Sequence, residues 1–402
     1  MPNRKLCLVV PEFRTEVGRS GGLDGVAQFL LNTFSSRRGW EVSVASVRMS
    51  HKAPQHRRIL SPTTWLRGPS SACREIDGLR IVDFGAHVGE VEPIRYLPNR
   101  ILDRYLSAFD LAIVVCGSPA IATVLSRTRV PVIAQVATLI EEERSALIAR
   151  SRMPEKLWRI AVTHLTSLLD DHGLKVPDVV FVENPHMLEE CRRRRVKDVR
   201  LVPPGVDTVR FHPVDFEQKE DFILSVGRFN DPRKDIRTLI LSYSHAVKSG
   251  VTSRLILAGL EGPSGHVMAL IEELGLKELI DIRVNVPIDE LAELYQKASL
   301  FALSSTEEGL GLVFLESMAS GTPFVATATE GARYVHGNEP VGELIEFGSS
   351  LSTRFGSAIH RWMADENRRR EAGEAAAERA NRVFSESATG RLFLEAADQI
   401  CK

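Results

Sequence analysis

The chain has 402 residues, 44% hydrophobic and 26% charged, with 51 Lys plus Arg against 52 Asp plus Glu. That length exceeds one typical core and predicts two domains, and the near-zero net charge leaves no global field to recruit nucleic acid or an acidic polymer. Five scattered cysteines (Cys7, Cys73, Cys116, Cys191 and Cys401), odd in number and without a Cys-x-x-Cys pair, argue against a disulfide framework or a zinc site and for a reducing cytoplasm.

The N-terminal MPNRKLCLVV passes directly into a short apolar strand without a signal-peptide cleavage pattern, and no apolar run approaches the ~18 to 20 residues that cross a bilayer. The expectation is a cytoplasmic protein, peripheral to a membrane at most. Apolar runs at Leu6 to Val10, Val42 to Val47, Leu79 to Phe84, Leu111 to Cys116, Val132 to Ala134 and Val179 to Val182 predict strands, and the helical stretches between most of them predict a mainly parallel sheet. A glycine cluster, GRSGGLDGVAQFLLNTF, follows the first strand and leads into an amphipathic helix starting near Asp24 or Gly25. It is not the dinucleotide G-x-G-x-x-G pattern and does not support NAD binding. The segments Met49 to Arg74 and Gly85 to Arg100 read as loops.

Arg192 to Arg195 form a four-arginine run on a short helix beginning after Pro185. Such a run is either a solvated helix end opposing the C-terminal dipole or a grip for anionic headgroups. Leu201 to Asp221, rich in proline and charge, marks the domain junction, giving domains at 1–205 and 206–385.

A second alternation starts at Phe222, with strands at Phe222 to Val226, Leu255 to Ala258, Ile280 to Val284, Leu300 to Ala302 and Phe324 to Ala326. The fold class is therefore α/β, two doubly wound Rossmann-like domains. The first of these strands is followed by Arg228 and Lys234, in a loop before a helix from about Asp235 to Ser249, and loops after strands are where open α/β sheets bind ligands. Two cations there suit a diphosphate whose charge grows in a transition state. Arg233 and Arg237 read as solvated.

The most informative stretch is SSTEEGLGLVFLESMASGTPFVAT, from Ser304 to Thr327. Gly309 and Gly311 bracket a turn, Leu310 to Ala319 is a helical run, and Gly321 with Pro323 ends it. Glu308 sits at the helix mouth and Glu316 about two turns inside, a rise of roughly 12 Å if the intervening residues are helical. Unpaired N–H groups and the dipole at such a mouth attract a phosphate, and glycines let it approach the main chain.

These residues resemble family 4 of the retaining glycosyltransferases, the glycosyl transferases group 1, whose signature is an acidic residue, seven others and then a second glutamate, around an E-G-aromatic-G-L core. Leu310 stands where the aromatic is usual. FILSVGRFNDPRKDIR, from Phe222 to Arg237, is similar to the family's strand, Gly-Arg pair and downstream lysine. The resemblance implies the GT-B architecture, with the terminal helix, Glu386 to Lys402, crossing back to the first domain.

It also implies a nucleoside diphosphate sugar (UDP or GDP) as donor and a hydroxyl acceptor such as a glycan, glycolipid or small-molecule glycoside. Glu308 would hold the sugar hydroxyls, Glu316 the ribose, and Arg228 and Lys234 the pyrophosphate. Gly309, Leu310, Gly311 and Leu312 would line the donor site, with Gly21 and Gly22 at the matching loop of the first domain. Similar enzymes with lipid-linked acceptors would use cations such as Arg192, Arg193, Arg194 and Arg195 at the membrane.

The histidine that relatives often carry after an early strand is missing: PVIAQVATLIEEE aligns Ala137 or Thr138 with it. Either Gln135, Thr138 or one of Glu141 to Glu143 substitutes, or the donor is positioned without such a contact. With no Asp-x-Asp in the chain, no cofactor and no metal are expected. A non-catalytic nucleotide-sugar or glycan-binding protein of the same fold is the alternative reading.

Overall fold

The computed structural model describes residues 3–13, 22–37, 39–76 and 78–401. The chain divides into two units: the first runs to Pro204 and takes back the chain from Thr389 onward, and the second contains Gly205–Ala388. Among the described residues the first unit holds eight strands: β1 (Arg4–Pro11), β2 (Trp40–Val47), β3 (Ser71–Ile76), β4 (Leu79–Phe84), β5 (Leu111–Cys116), β6 (Val132–Val136), β7 (Val179–Val182) and β8 (Val199–Leu201). They form one sheet in the order β3-β4-β2-β1-β5-β6-β7-β8. All pairings are parallel except the β3–β4 hairpin at one edge.

The central strands are apolar throughout because helices cover both faces of a parallel sheet. β5, LAIVVC, is buried at every position. β3 escapes sequence reading for the opposite reason. Its SACREI is exposed or half-buried throughout, as an edge strand with no second face to cover. The stretch read as a loop from Met49 to Arg74 accordingly holds the start of this strand and a short helix, Pro62–Arg67.

The last helix, Glu386–Ile400, begins in the second unit, and from Thr389 its residues belong to the first. Phe393 is fully buried there, edge-on to Phe29 at 5.5 Å and to Phe181 at 4.6 Å, while Asp398 pairs with Arg4 and Arg37. The exposed ion pairs are worth little, so the aromatic contact decides the docking. Phe393→Ala is expected to lower stability by about 3 to 5 kcal/mol through the cavity it leaves, seen as a lower urea midpoint. Asp398→Ala should move that midpoint hardly at all.

The second unit's strands are β9 (Glu220–Val226), β10 (Arg254–Gly259), β11 (Ile280–Val284), β12 (Ala298–Leu303), β13 (Phe324–Thr327) and β14 (Gly342–Ile345). They pair in parallel in the order β11-β10-β9-β12-β13-β14. Along β9 the pleat sends Phe222, Leu224 and Val226 into a core with the helices Ile288–Lys297 and Leu312–Ala319. Ile223 points to the other face, into a core with Ile236–Lys248 and Leu351–Ala364. At the junction, Asp207 accepts from the amides of Val209 and Arg210 at 3.0 and 3.1 Å and so caps the turn into this unit.

The strand order fixes where a ligand can enter. From β9 the chain moves outward through β10 and β11, then returns to β12 on the other side of β9 and moves outward again. The loops after β9 and β12 therefore diverge to opposite faces and leave a crevice at their carboxyl ends, the topological switch point of a doubly wound sheet.

Candidate donor site in the second unit

The two sequence segments that carry phosphate-type chemistry are the two loops at this switch point. The loop after β9 contains Arg228 and ends in a short 3-10 turn, Pro232–Lys234, capped by Asp231. The loop after β12 runs from Ser304 to Gly311 into the helix Leu312–Ala319. Thr306 locks the two together: its amide donates to the Arg233 carbonyl at 2.7 Å and its hydroxyl to the same oxygen at 3.2 Å. Ser304 Oγ donates to the carbonyls of Lys234 and Asp235.

On that frame Lys234 Nζ meets Glu308 Oε1 at 2.5 Å, and Ser305 Oγ donates to the same oxygen at 2.6 Å. The pair is well shielded, with 14% and 10% of the two side chains exposed. Alongside runs a second charge chain. Arg228 binds Asp231 at 3.0 Å, Arg233 binds Asp231 at 2.7 Å, and Arg233 reaches Glu307 at 3.1 Å. Burial alone would raise the Asp231 carboxyl, but Arg233 and Arg228 hold it below its usual value.

Arg233, expected in solvent, is thus a half-buried strut between the loops. Arg228 has the more exposed side chain, at 56%. The sequence hinted at Asp231 through its Asp-Pro turn and at Glu307 only through the doubled glutamate. Nothing in it pairs residues 74 positions apart.

Gly311 is the N-cap of the helix at φ 78°, a left-handed conformation, and a Cβ there would stand 2.7 Å from the Phe314 ring. The helix starts at Leu312 rather than Leu310, so Glu316 lies one turn in, and the 12 Å helical rise does not apply. The N-cap residue Gly311 has no side chain to bond the first amides, and the Phe314 amide turns back to the Gly311 carbonyl at 2.9 Å, so the positive end of the dipole lies at the loop. Gly309 lies in the loop between Glu308 and Leu310. Leu310 is buried in the core beneath the loop, and Leu312 packs partly against that core. Leu310 therefore props the loop from below, which explains why an aliphatic residue serves at this position.

Glu316 is 6% exposed. Burial together with the neighbouring Glu316 carboxylate drives the Tyr295 phenol far above its ordinary value. The helix ends as a Schellman motif: Thr322 N donates to Ser317 O, Gly321 N to Met318 O, and Gly321 takes φ 67°.

Lys219 adds a C-cap that the sequence did not reveal, its Nζ donating to Ser320 O and to Thr322 Oγ1 at 2.6 Å. Burial pushes this ammonium down to about 7 from 10.5. Between those values the unfolded chain holds a proton that the folded one has lost, so stability from this group rises with pH. Lys219→Met is expected to remove that increment, measured as the change in urea midpoint between pH 7 and pH 9 in wild type and variant.

In the first unit, Gly21 lies outside the described residues, and Gly22 opens the helix Gly22–Ser35, where an added Cβ would meet nothing within 4 Å. Beyond β6, Thr138 Oγ1 donates to Glu142 at 3.2 Å, and Glu142 bonds His186 Nε2 at 2.7 Å. His186 follows β7, the parallel neighbour of β6. An imidazole therefore stands on the same sheet edge one strand from Ala137, beside two of the substitutes considered. Gln135 is fully buried within β6, donating to Glu183 at 3.3 Å, so it contributes to the core and not to that edge.

The Arg192–Arg195 run ends the helix Pro185–Arg193. Arg192 pairs with Glu189, Arg193 with Glu190, and Arg194 with Glu190 and Asp171.

Residues 209–379 match the family model described as glycosyl transferases group 1. Among curated proteins, the chain is 27% identical over 403 aligned positions to a D-inositol 3-phosphate glycosyltransferase of Kineococcus radiotolerans, covering 94% of this chain and 90% of that one. It is 30% identical to the Segniliparus rotundus protein of the same description over 48% of this chain. That match spans only 44% of the relative's own length.

Among solved structures it resembles sucrose-phosphate synthase from Thermosynechococcus elongatus, with TM-score 0.72, 20% identity and 99% of each chain covered. It also resembles Anabaena HepE in complex with UDP and glucose, with TM-score 0.69 and 14% identity over 99% and 100% of the two chains.

Proposed function

We propose, for a chain that belongs to the glycosyl transferases group 1 and has the GT-B fold, that it moves a sugar from a nucleoside diphosphate donor to an acceptor hydroxyl with retention of anomeric configuration. The observation that carries this is the Lys234–Glu308 pair at the switch point of the second sheet, beside a helix N-terminus whose N-cap is a glycine. A cation, a carboxylate and the positive end of a helix dipole at one switch point match the three chemistries of the donor: pyrophosphate, sugar hydroxyls and the charge that grows between them.

In this reading Lys234 leaves Glu308 for the diphosphate when donor binds, and Arg228 swings from Asp231 to do the same. Glu308 then accepts from the sugar hydroxyls, and Glu316, from within the helix, accepts from the ribose. As the anomeric C–O bond to the diphosphate breaks, the acceptor oxygen attacks from the same face and its proton passes to a leaving phosphate oxygen. The developing charge is met by Arg228, Lys234 and the helix amides, with no metal and no cofactor in the cycle. A cytoplasmic location fits the cysteine usage and a cytosolic nucleotide sugar.

Anabaena HepE, the pneumococcal O-GlcNAc transferase GtfA and the Staphylococcus aureus TarM mutant were each solved with UDP, which makes UDP-sugars the first donors to test and GDP-sugars the second. D-Inositol 3-phosphate, named for the curated relatives, belongs in the acceptor panel. Turnover should be unchanged by chelator, and NMR of the product should show the donor's anomeric configuration. Glu316→Gln should raise KM for the donor more than it lowers kcat, since it removes binding shared by ground and transition states. An inverted product, or full loss of rate in chelator, would defeat the respective assignment. Donor binding without either transfer or slow hydrolysis would favour the non-catalytic alternative.

A further inference from the structure

Tyr295 is a tyrosine where packing alone asks for a phenylalanine. It lies on the helix Ile288–Lys297, which shares a core with the helix Leu312–Ala319, and it is fully buried. Its ring is pinned on two sides, edge-on to Phe211 at 5.8 Å and tilted on Phe301 at 5.7 Å. Its carbonyl accepts from Thr322 Oγ1 at 2.6 Å, which fixes the main chain as well. In a core packed this way the hydroxyl stays where the ring puts it, and there it makes no closed hydrogen bond with any of the described residues.

A buried phenol without a closed bond is costly, and a phenylalanine of the same shape would fill the site without that cost. A polar group kept in such a place calls for a reason. Among the described residues Glu316 is the one ionisable group that acts on this phenol, standing beside it just short of a formed bond. Burial and that carboxylate both raise the phenol, so its proton stays on oxygen and is there to donate. Glu316 is itself buried, and in such surroundings an O–H to carboxylate bond is among the strong ones.

We infer that Tyr295 is a positioning residue of the donor site, whose hydroxyl, donating to the Glu316 carboxylate, holds that carboxylate toward the ribose of a bound nucleoside diphosphate. The inference rests on Glu316 as the ribose contact proposed above. Tyr295 is closed off from the surface, so it touches no ligand and acts only through Glu316. The strength of the bond is realised with the ribose in place, which separates its effect on binding from its effect on folding.

The test is nucleotide binding by the full chain, measured by isothermal titration calorimetry with UDP, GDP and their 2′,3′-dideoxy analogues on wild type, Tyr295→Phe, Glu316→Gln and the double variant. Tyr295→Phe is expected to bind the ribonucleotide about ten-fold more weakly or worse, the worth of one hydrogen bond to a charged group, and to bind the dideoxy analogue as wild type does. Added to Glu316→Gln it should cost nothing further, because the hydroxyl works through that carboxylate. Its Tm should stay level or rise. A residue that merely fills the core would give the opposite, a lower Tm and an equal loss for both nucleotides.

Ribonucleotide binding by Tyr295→Phe within about two-fold of wild type, or an equal loss with the dideoxy analogue, overturns the role of Tyr295. If Glu316→Gln discriminates ribose from dideoxyribose as poorly as Tyr295→Phe does well, or if wild type binds neither nucleotide, the ribose assignment of Glu316 fails and Tyr295 falls with it. Where Glu316→Gln loses affinity for the ribonucleotide alone and Tyr295→Phe does not, only the role of Tyr295 is lost.

Discussion

Lys234→Ala is expected to lower kcat about 10²- to 10³-fold, the usual cost of removing one preorganised group aimed at developing charge. The same substitution should destabilise the second unit, and the two effects have different origins. In the free protein Lys234 neutralises a Glu308 carboxylate that is only 10% exposed and otherwise receives a hydroxyl bond from Ser305. Its loss leaves that charge shielded from water with one neutral donor, worth about 1 to 3 kcal/mol.

Lys234→Met paired with Glu308→Gln removes both charges, so it should regain most of the lost stability while remaining as inactive as the single variant. Urea denaturation and donor turnover on the three proteins separate the roles. If Lys234→Ala turns over within about three-fold of wild type, the cation is a structural partner of Glu308 and no more.

The catalytic reading leans on features that differ in how openly the sequence displays them. β1, β5, β7, β9 and β12 were legible as apolar runs because a strand covered on both faces has no polar positions to break the pattern. β3 was not, since its partner lies on one side and its faces are wet, and neither β8, VRL, nor β14, GELI, contains an uninterrupted apolar run to stand out from loop. The end of the helix Leu312–Ala319 was readable from Gly321 and Pro323, which act locally through backbone geometry. Its beginning was two residues off because Leu310, an excellent helix former, is drawn out of the helix by tertiary burial.

The same division between local and distant causes holds within the site. Glu308 and Glu316 could be singled out by type and spacing, and Arg228 and Lys234 through the family resemblance of their segment. That Lys234 would be held by Glu308, or that Arg233 would bridge Asp231 and Glu307, depends on β9 and β12 being neighbours. That adjacency is a topological fact, carried by no local signal. Lys219 is the extreme case: one lysine in a charged segment, QKED, whose role appears only when the helix end it caps is in place.

Gly331→Ala is expected to disable the site without touching any group that carries charge. Gly331 is the second residue of the helix Glu330–His336, where alanine would ordinarily be the better helix former by about 1 kcal/mol. Propensity alone therefore predicts stabilisation. Its amide, however, donates to Glu308 O at 3.0 Å, and a Cβ would lie 2.7 Å from that same oxygen and 2.8 Å from the carbonyl oxygens of Gly309 and Leu310. All three obstacles are main chain and cannot rotate aside, so either the helix backs away or the Glu308 loop is pushed from Lys234.

The close packing should reverse the sign of the substitution, to a loss of about 1 to 3 kcal/mol. A shift of even ~1 Å in the loop should cost about 100-fold in kcat/KM. Gly22→Ala serves as the comparison. Its added methyl meets nothing within 4 Å, so the fold should be unchanged, and any loss of turnover would report on approach of a ligand to that helix start. A Gly331→Ala protein more stable than wild type and fully active would mean that the loop holding Glu308 yields freely, and a preorganised donor site could not then rest on it.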